Sequence, residues 1–278
     1  MSSDADLNCV EARHAGGSGP ICLPCNEGRY EDCLWKRPPS WVADHVFKKI
    51  ETARVFTEPY PFIYVPGILP DEFFKLLRAS MPVDASYKTL QDYGRVAAAY
   101  SRKRVVVPMN TLGVKNPEKF FFDPAAAAVW KTMMEWFVSE KMLMTVLKLF
   151  EPQLQARFPT GTAGVKFHHE ALLIRDSEAY ELGPHTDSPA KVVSFLYYLP
   201  ERSDTPFLGT SIYKPKDPSY RCPGGPHHPF ALFDRLTTMP FLPNTLFGFV
   251  KTNNSFHGVE PVTAGYQRDI LLYDIKTR

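Results

Sequence analysis

The segment Gly183-Pro184-His185-Thr186-Asp187-Ser188-Pro189 sets an imidazole and a carboxylate two residues apart. Side chains at i and i+2 of an extended strand share a face, so both can reach one ion at the strand's end. A second imidazole, His257, follows in Ser255-Phe256-His257-Gly258-Val259. Two imidazoles and one carboxylate on one side of a divalent metal leave three positions open, the donor set with which non-haem Fe(II) takes up a co-substrate and O2. Arg268, just before the β-type run Ile270-Leu271-Leu272-Tyr273, adds a guanidinium that can meet a carboxylate with two parallel hydrogen bonds. Each of these residues is common alone; the combination points to chemistry.

Other polar groups are weaker candidates. Arg95, Arg102 and Arg104 lie among tyrosines in Tyr93-Gly94-Arg95 and Tyr100-Ser101-Arg102-Lys103-Arg104, where cations can bind an anionic or polar small molecule or form a solvated charge run. The pairs His168-His169 and His227-His228 are adjacent, and neighbours on a strand face opposite sides, so surface or loop roles are expected.

Elements that could position these groups are legible. Phe62-Ile63-Tyr64-Val65 is a short β-type run closed by Pro66-Gly67, and Leu69-Pro70-Asp71 opens a helix with apolar Phe73, Phe74, Leu76 and Leu77. Arg104–Pro108 reads as a strand. Residues 124 to about 158 read as the longest helical stretch, with Pro152 as its break or kink. After residue 165 the runs Ala171–Ile174, Val192–Leu199, Leu208–Tyr213, Thr245–Val250 and Ile270–Ile275 are β-type, separated by turn-rich segments such as Cys222-Pro223-Gly224-Gly225-Pro226. Helices first and short strands later predict an α+β protein: a β-barrel or jelly roll buttressed by N-terminal helices. Residues 1–40 read as a flexible leader and 41–278 as a single domain, with helical support over about 41–164 and a β core over about 165–278.

Length and composition limit the alternatives. A chain of 278 residues buries a core large enough to fold without disulfides. With 32 Lys+Arg against 30 Asp+Glu, the formal charge of +2 implies neither nucleic acid nor an anionic membrane as partner. No apolar run approaches a membrane span, and the N-terminus lacks the apolar core of a secretory signal, so a cytoplasmic location is expected. Cys22-Leu23-Pro24-Cys25 has the spacing of a zinc half-site that Cys9 or Cys33 could complete. No second such pair follows, which favours unrelated thiols.

From about residue 165 to the C-terminus the chain resembles the 2-oxoglutarate/Fe(II)-dependent dioxygenases, notably their prolyl-hydroxylase-like branch. The resemblance rests on Leu173-Ile174-Arg175, Gly183–Asp187, Val192–Leu199, Gly209-Thr210-Ser211-Ile212-Tyr213, Phe247-Gly248-Phe249, His257–Val262 and Arg268, in that order. It implies a double-stranded β-helix, of jelly-roll or cupin-like form, with His185, Asp187 and His257 as iron ligands and O2 as oxidant. Arg268 then matches the residue that binds the distal carboxylate of 2-oxoglutarate, Tyr198 a tyrosine contacting the same co-substrate, and Ser194 shares that strand face. Arg175 stands where many relatives carry a co-substrate tyrosine, and an arginine there would bind co-substrate, bind a substrate anion or face solvent. The implied reaction couples decarboxylation of 2-oxoglutarate, giving succinate and CO2, to attack on a C–H bond. Relatives that halogenate replace the carboxylate ligand with a small residue. Asp187 therefore favours hydroxylation, with desaturation, cyclisation and epimerisation as variants. A small-molecule substrate is expected; the alternatives are a protein or peptide side chain, or an inactive metal-binding sensor or scaffold, against which the intact Arg268 and triad speak.

Overall fold

The computed structural model describes residues 40–96, 100–110 and 123–277, and the leader cysteines lie outside them. Five helices precede the main run of strands: α1 (Ser40–Glu51), α2 (Asp71–Ala79), α3 (Pro124–Phe137), α4 (Glu140–Leu149) and the single turn α5 (Glu151–Leu154). Acidic Asp71 and Glu72 occupy the first turn of α2, where they oppose the positive end of the helix dipole. The expected long helix from residue 124 is in fact three. It stops at Val138 because Ser139 caps α4, its hydroxyl accepting from the Met142 amide at 3.2 Å, and Pro152 sits in the first turn of α5, where its missing N–H costs nothing.

Among the described residues eleven strands form two antiparallel sheets. The larger is built from β1 (Phe62–Pro66), β2 (Lys88–Thr89), β3 (Arg104–Pro108), β4 (Phe167–Asp176), β6 (Lys191–Tyr198), β9 (Thr245–Val250) and β11 (Arg268–Thr277), in the order β1-β9-β6-β11-β4-β3-β2. The smaller is β5-β10-β7-β8, with β5 (Leu182–His185), β7 (Ser211–Pro215), β8 (Phe233–Thr238) and β10 (His257–Val259). Three of these (β5, β8 and β10) fall outside the apolar runs that mark strands in the sequence, because they are short or exposed. The run Leu208–Tyr213 divides into a 3-10 turn and the start of β7.

Side-chain parity assigns the two faces of the large sheet. Leu271, Tyr273 and Ile275 of β11, Val193, Phe195 and Tyr197 of β6, and Ala171 and Leu173 of β4 pack with Trp130, Phe137, Val146 and Phe150 of the helices in one core. The opposite parity, Ile270, Tyr198, Ile174 and Phe247, packs against Ile212 and Val259 of the small sheet in a second core. Both faces are covered, so β6 from Val192 on is apolar apart from Ser194, and β11 carries the apolar run Ile270–Tyr273 at its centre. Two facing antiparallel sheets with helices on the outer side of one are the double-stranded β-helix architecture, as expected. Polar residues on the inward parity of the large sheet therefore project into the barrel, where they face the small sheet and its loops.

Candidate metal centre and co-substrate pocket

His185 ends β5 and His257 opens β10, and the two are direct partners in the antiparallel register. Pairing sets the imidazoles side by side with ring centroids 4.3 Å apart. Gly258 permits the close approach, since a Cβ there would lie 2.5 Å from the Leu182 carbonyl oxygen. Asp187 is not on the strand, contrary to the i,i+2 argument. β5 ends at His185, and Asp187 reaches the same point from the loop that follows. Gly224 packs under that loop, where a Cβ would meet the Asp187 carbonyl oxygen at 2.5 Å.

Protonation suits a cation. His185 Nδ1 bonds the Gly183 carbonyl at 3.0 Å and His257 Nδ1 bonds the Ser255 carbonyl at 3.0 Å. Both carbonyls accept, which fixes the proton on Nδ1 and leaves each Nε2 a free lone pair. Burial pushes both imidazoles below their ordinary range, so they are neutral. Burial would raise the Asp187 carboxyl, but the Lys191 ammonium overrides it and holds the group well below the usual carboxylate range. One ligand atom from each residue lies within 4.8 Å of the other two, and His257 Nε2 stands 4.0 Å from Asp187 Oδ2. Two neutral imidazoles and one ionised carboxylate, all buried, fit a divalent metal with open positions.

The carboxylate is held by a network that sequence reasoning missed except for Ser194. Lys191 Nζ lies 3.0 Å from Asp187 Oδ1 and 2.9 Å from Asp274 Oδ2. The Ser194 hydroxyl lies 2.9 Å from Asp187 Oδ2 and 2.7 Å from Asp274 Oδ1. The signal was present: Asp274 shares the inward parity of Arg268, Ile270 and Leu272 on β11.

From the triad a narrow cavity of about 80 Å³ runs between the sheets past Ser194, Leu196 and Thr210 to Arg104 and Arg268. Arg268 is fully buried. Its Nε donates to the Leu208 carbonyl, Nη1 to Asp176 Oδ2 at 2.5 Å, and Nη2 to the Thr210 hydroxyl at 3.5 Å. Arg104 grips the same carboxylate with Nε at 2.6 Å and Nη2 at 2.8 Å, and its guanidinium lies over the Tyr180 ring. Asp176 thus joins two arginines from different strands, leaving the cluster with one net positive charge.

The remaining sequence candidates lie elsewhere. Arg175 has the opposite parity to Asp176 and pairs with Asp269 at 2.7 Å and with Asp84, on the helix-facing side and away from the cavity lining. Arg95 pairs with Glu170 at 3.7 Å and Arg102 with Asp92 at 3.6 Å, both as exposed cations that do not line the cavity. Tyr198 packs at a tilt against Phe241, and its hydroxyl accepts from the Thr210 amide at 3.1 Å; it supports the wall without lining the cavity. His168 and His169 belong to β4, where His169 contacts the Tyr273 hydroxyl at 3.2 Å. His227 is exposed on a loop, as expected for that pair, yet its ring sits 4.7 Å from that of His185.

No family model and no curated protein matches the chain. Among solved structures it is similar to a prolyl hydroxylase from Trichoplax adhaerens in complex with a hypoxia inducible factor peptide, at 12% identity and a TM-score of 0.48 over 84% of this chain and 88% of that one. A Pseudomonas putida prolyl-4-hydroxylase gives 15% identity and a TM-score of 0.45 over 84% of this chain and 97% of that one. A 2OG-Fe(II) oxygenase family oxidoreductase from Burkholderia pseudomallei gives 14% identity and a TM-score of 0.42 over 91% and 92% of the two chains. In this chain His185, Asp187 and His257 form one buried group of potential metal ligands among the described residues.

Proposed function

We propose that this protein is a non-haem Fe(II)- and 2-oxoglutarate-dependent oxygenase that hydroxylates an unactivated C–H bond of a small molecule. The observation that carries the reading is one cavity with a metal-ready triad at one end and a cationic arginine cluster at the other. His185, Asp187 and His257 would hold the iron, and Arg268, backed by Arg104, would take the distal carboxylate. When bound, iron and 2-oxoglutarate supply the oxidising chemistry from O2, with succinate and CO2 as co-products.

Charge supports the pairing of these two groups. Lys191, Arg104 and Arg268 balance Asp187, Asp274 and Asp176 through the contacts above, so the metal-free pocket is neutral. A divalent metal adds two positive charges to this low-dielectric space, and a 2-oxo dicarboxylate adds two negative ones. Either alone leaves an uncompensated buried charge; together they leave none. The substrate then needs no charge of its own at the cavity, which favours a neutral contact surface near His227 and Tyr100. Tyr100 and Tyr180 meet hydroxyl to hydroxyl at 3.2 Å.

The test is succinate release from 2-oxoglutarate under air with Fe(II), across separate panels of small molecules and proline-containing peptides. Iron-dependent succinate stimulated by a small molecule is the expected result. Stimulation by peptides alone would reject the small-molecule reading, and no succinate in any arm, with iron bound, would reject the oxygenase.

A further inference from the structure

We propose a second anion-binding site, distinct from the co-substrate pocket, formed by Lys251 and Arg157 behind the loop that carries Asp187. Among the buried charged residues described, Asp176, Asp187, Asp269, Asp274 and Arg268 each have an opposite charge within 4.0 Å. Lys251 is equally buried at 6% exposure and has no carboxylate in that range among the described residues. Its ammonium donates only to neutral acceptors, the Pro223 carbonyl at 2.8 Å and Asn253 Oδ1 at 3.2 Å. A buried cation with neutral partners alone is expensive to keep charged.

The second cation repeats the pattern. Arg157 donates from Nη2 to the Pro189 carbonyl at 2.6 Å and from Nη1 to the Lys191 carbonyl, again with no described carboxylate at hand. Burial lowers both cations from their ordinary values; for Lys251 the charge of Arg157 adds to the effect, while Cys222 and the more distant Asp187 oppose it without reversing it. Both side chains line one cavity of about 420 Å³, whose lining includes Gln153, Thr252 and Asn253 and no acidic residue. Two cations, donor-bearing neutral groups and space without an acid make a receptor for a small oxyanion, a phosphate or a carboxylate. The ligand would bridge Pro189, in the loop after Asp187, and Pro223, beside the Gly224 that packs under Asp187. Its occupancy would tie together the two loops that set the position of the carboxylate ligand.

The test uses the full chain, with calorimetric titration and thermal melts in inorganic phosphate, sulfate or acetate at constant ionic strength. Saturable heat is expected with at least one oxyanion, and a rise in Tm of about 2–4 °C near saturation. Phosphate and sulfate acting without acetate would assign a phosphate-type ligand; acetate acting alone would assign a carboxylate. Lys251→Met removes the response, whereas Lys251→Arg keeps it, and Arg104→Met, which alters only the other pocket, keeps it as well. Lys251→Met is also expected to melt no lower than wild type without anion, since it removes an uncompensated buried charge. Absence of any saturable response in wild type, or an equal response in Lys251→Met, would overturn the proposal. Should Lys251→Met fail to fold, Arg157→Gln serves instead, with at least a tenfold loss of anion affinity expected.

Discussion

Replacing Arg104 by Met removes one of the two guanidiniums that share Asp176 and takes the cluster from one net positive charge to none. Arg268 keeps its bond to Asp176, so the wall stays closed and the loss is electrostatic. Both guanidiniums contact one carboxylate, so a separation of about 6 Å is taken between Arg104 and a second carboxylate on Arg268 for an order-of-magnitude Coulomb energy. At an effective dielectric of about 20, a unit charge at that range contributes about 2.8 kcal/mol. The Arg104 side chain is 14% exposed, and partial screening brings this to about 1.5–2.5 kcal/mol, or roughly a 10- to 70-fold rise in the Kd of 2-oxoglutarate. The assay is anaerobic titration of 2-oxoglutarate into the Fe(II)-loaded protein, followed by the visible band of the chelate. The same titration with 2-oxopentanoate, which lacks the distal carboxylate, is expected to be unchanged by the substitution. Equal 2-oxoglutarate affinity in wild type and variant, or equal weakening for both acids, would refute the reasoning and leave Arg104 a structural partner of Asp176.

Three further outcomes follow from the same contacts. Lys191→Met leaves Asp187 and Asp274 buried without their cation and should cost about 3–5 kcal/mol in urea denaturation of the metal-free protein; the double variant with Asp274→Asn should recover part of that loss. Because burial sets the folded-state pKa of His185 and His257 below the unfolded value, the unfolded chain binds protons that the folded one refuses below about pH 6.5, so metal-free stability should fall on acidification by up to about 1.4 kcal/mol per pH unit for each imidazole. Denaturation midpoints between pH 7 and 5 should show His257→Gln losing one such contribution, and an unchanged slope would contradict it. Gly224→Ala adds a Cβ against the Asp187 carbonyl at a backbone φ of +130° and should weaken Co(II) binding at least tenfold, read by titration of the cobalt absorbance.

The triad could be read from the sequence because its members sit in short motifs, His185-Thr186-Asp187 and His257-Gly258-Val259, whose residue types limit their chemistry. The faces of the long strands were equally readable. Alternation along β4 puts Asp176 with Ile174 and leaves Arg175 on the helix side, so parity alone argues against Arg175 as a co-substrate ligand. The same rule marks Asp274 as an inward charge on β11. Partners across long separations were not legible: nothing local pairs Arg104 with Asp176, or joins Lys191 to Asp274, because both contacts arise from sheet register. Arg95 and Arg102 show the opposite failure, since their local enrichment in cations is absorbed by Glu170 and Asp92. The broken helix was signalled by Ser139, a capping residue inside an apolar run, which outweighs the apolar pattern on both sides.

On the proposed function, His185, Asp187 and His257 would bind Fe(II), and 2-oxoglutarate would complete its coordination with Arg268 at the far end. The most direct measurement is the anaerobic difference spectrum on adding Fe(II) and then 2-oxoglutarate to wild type, His257→Ala and Arg268→Met. A weak visible band should appear in wild type only when both are present. It should be lost in His257→Ala and should require far more 2-oxoglutarate in Arg268→Met. No band in wild type with one equivalent of iron bound, or an undiminished band in His257→Ala, would contradict the account.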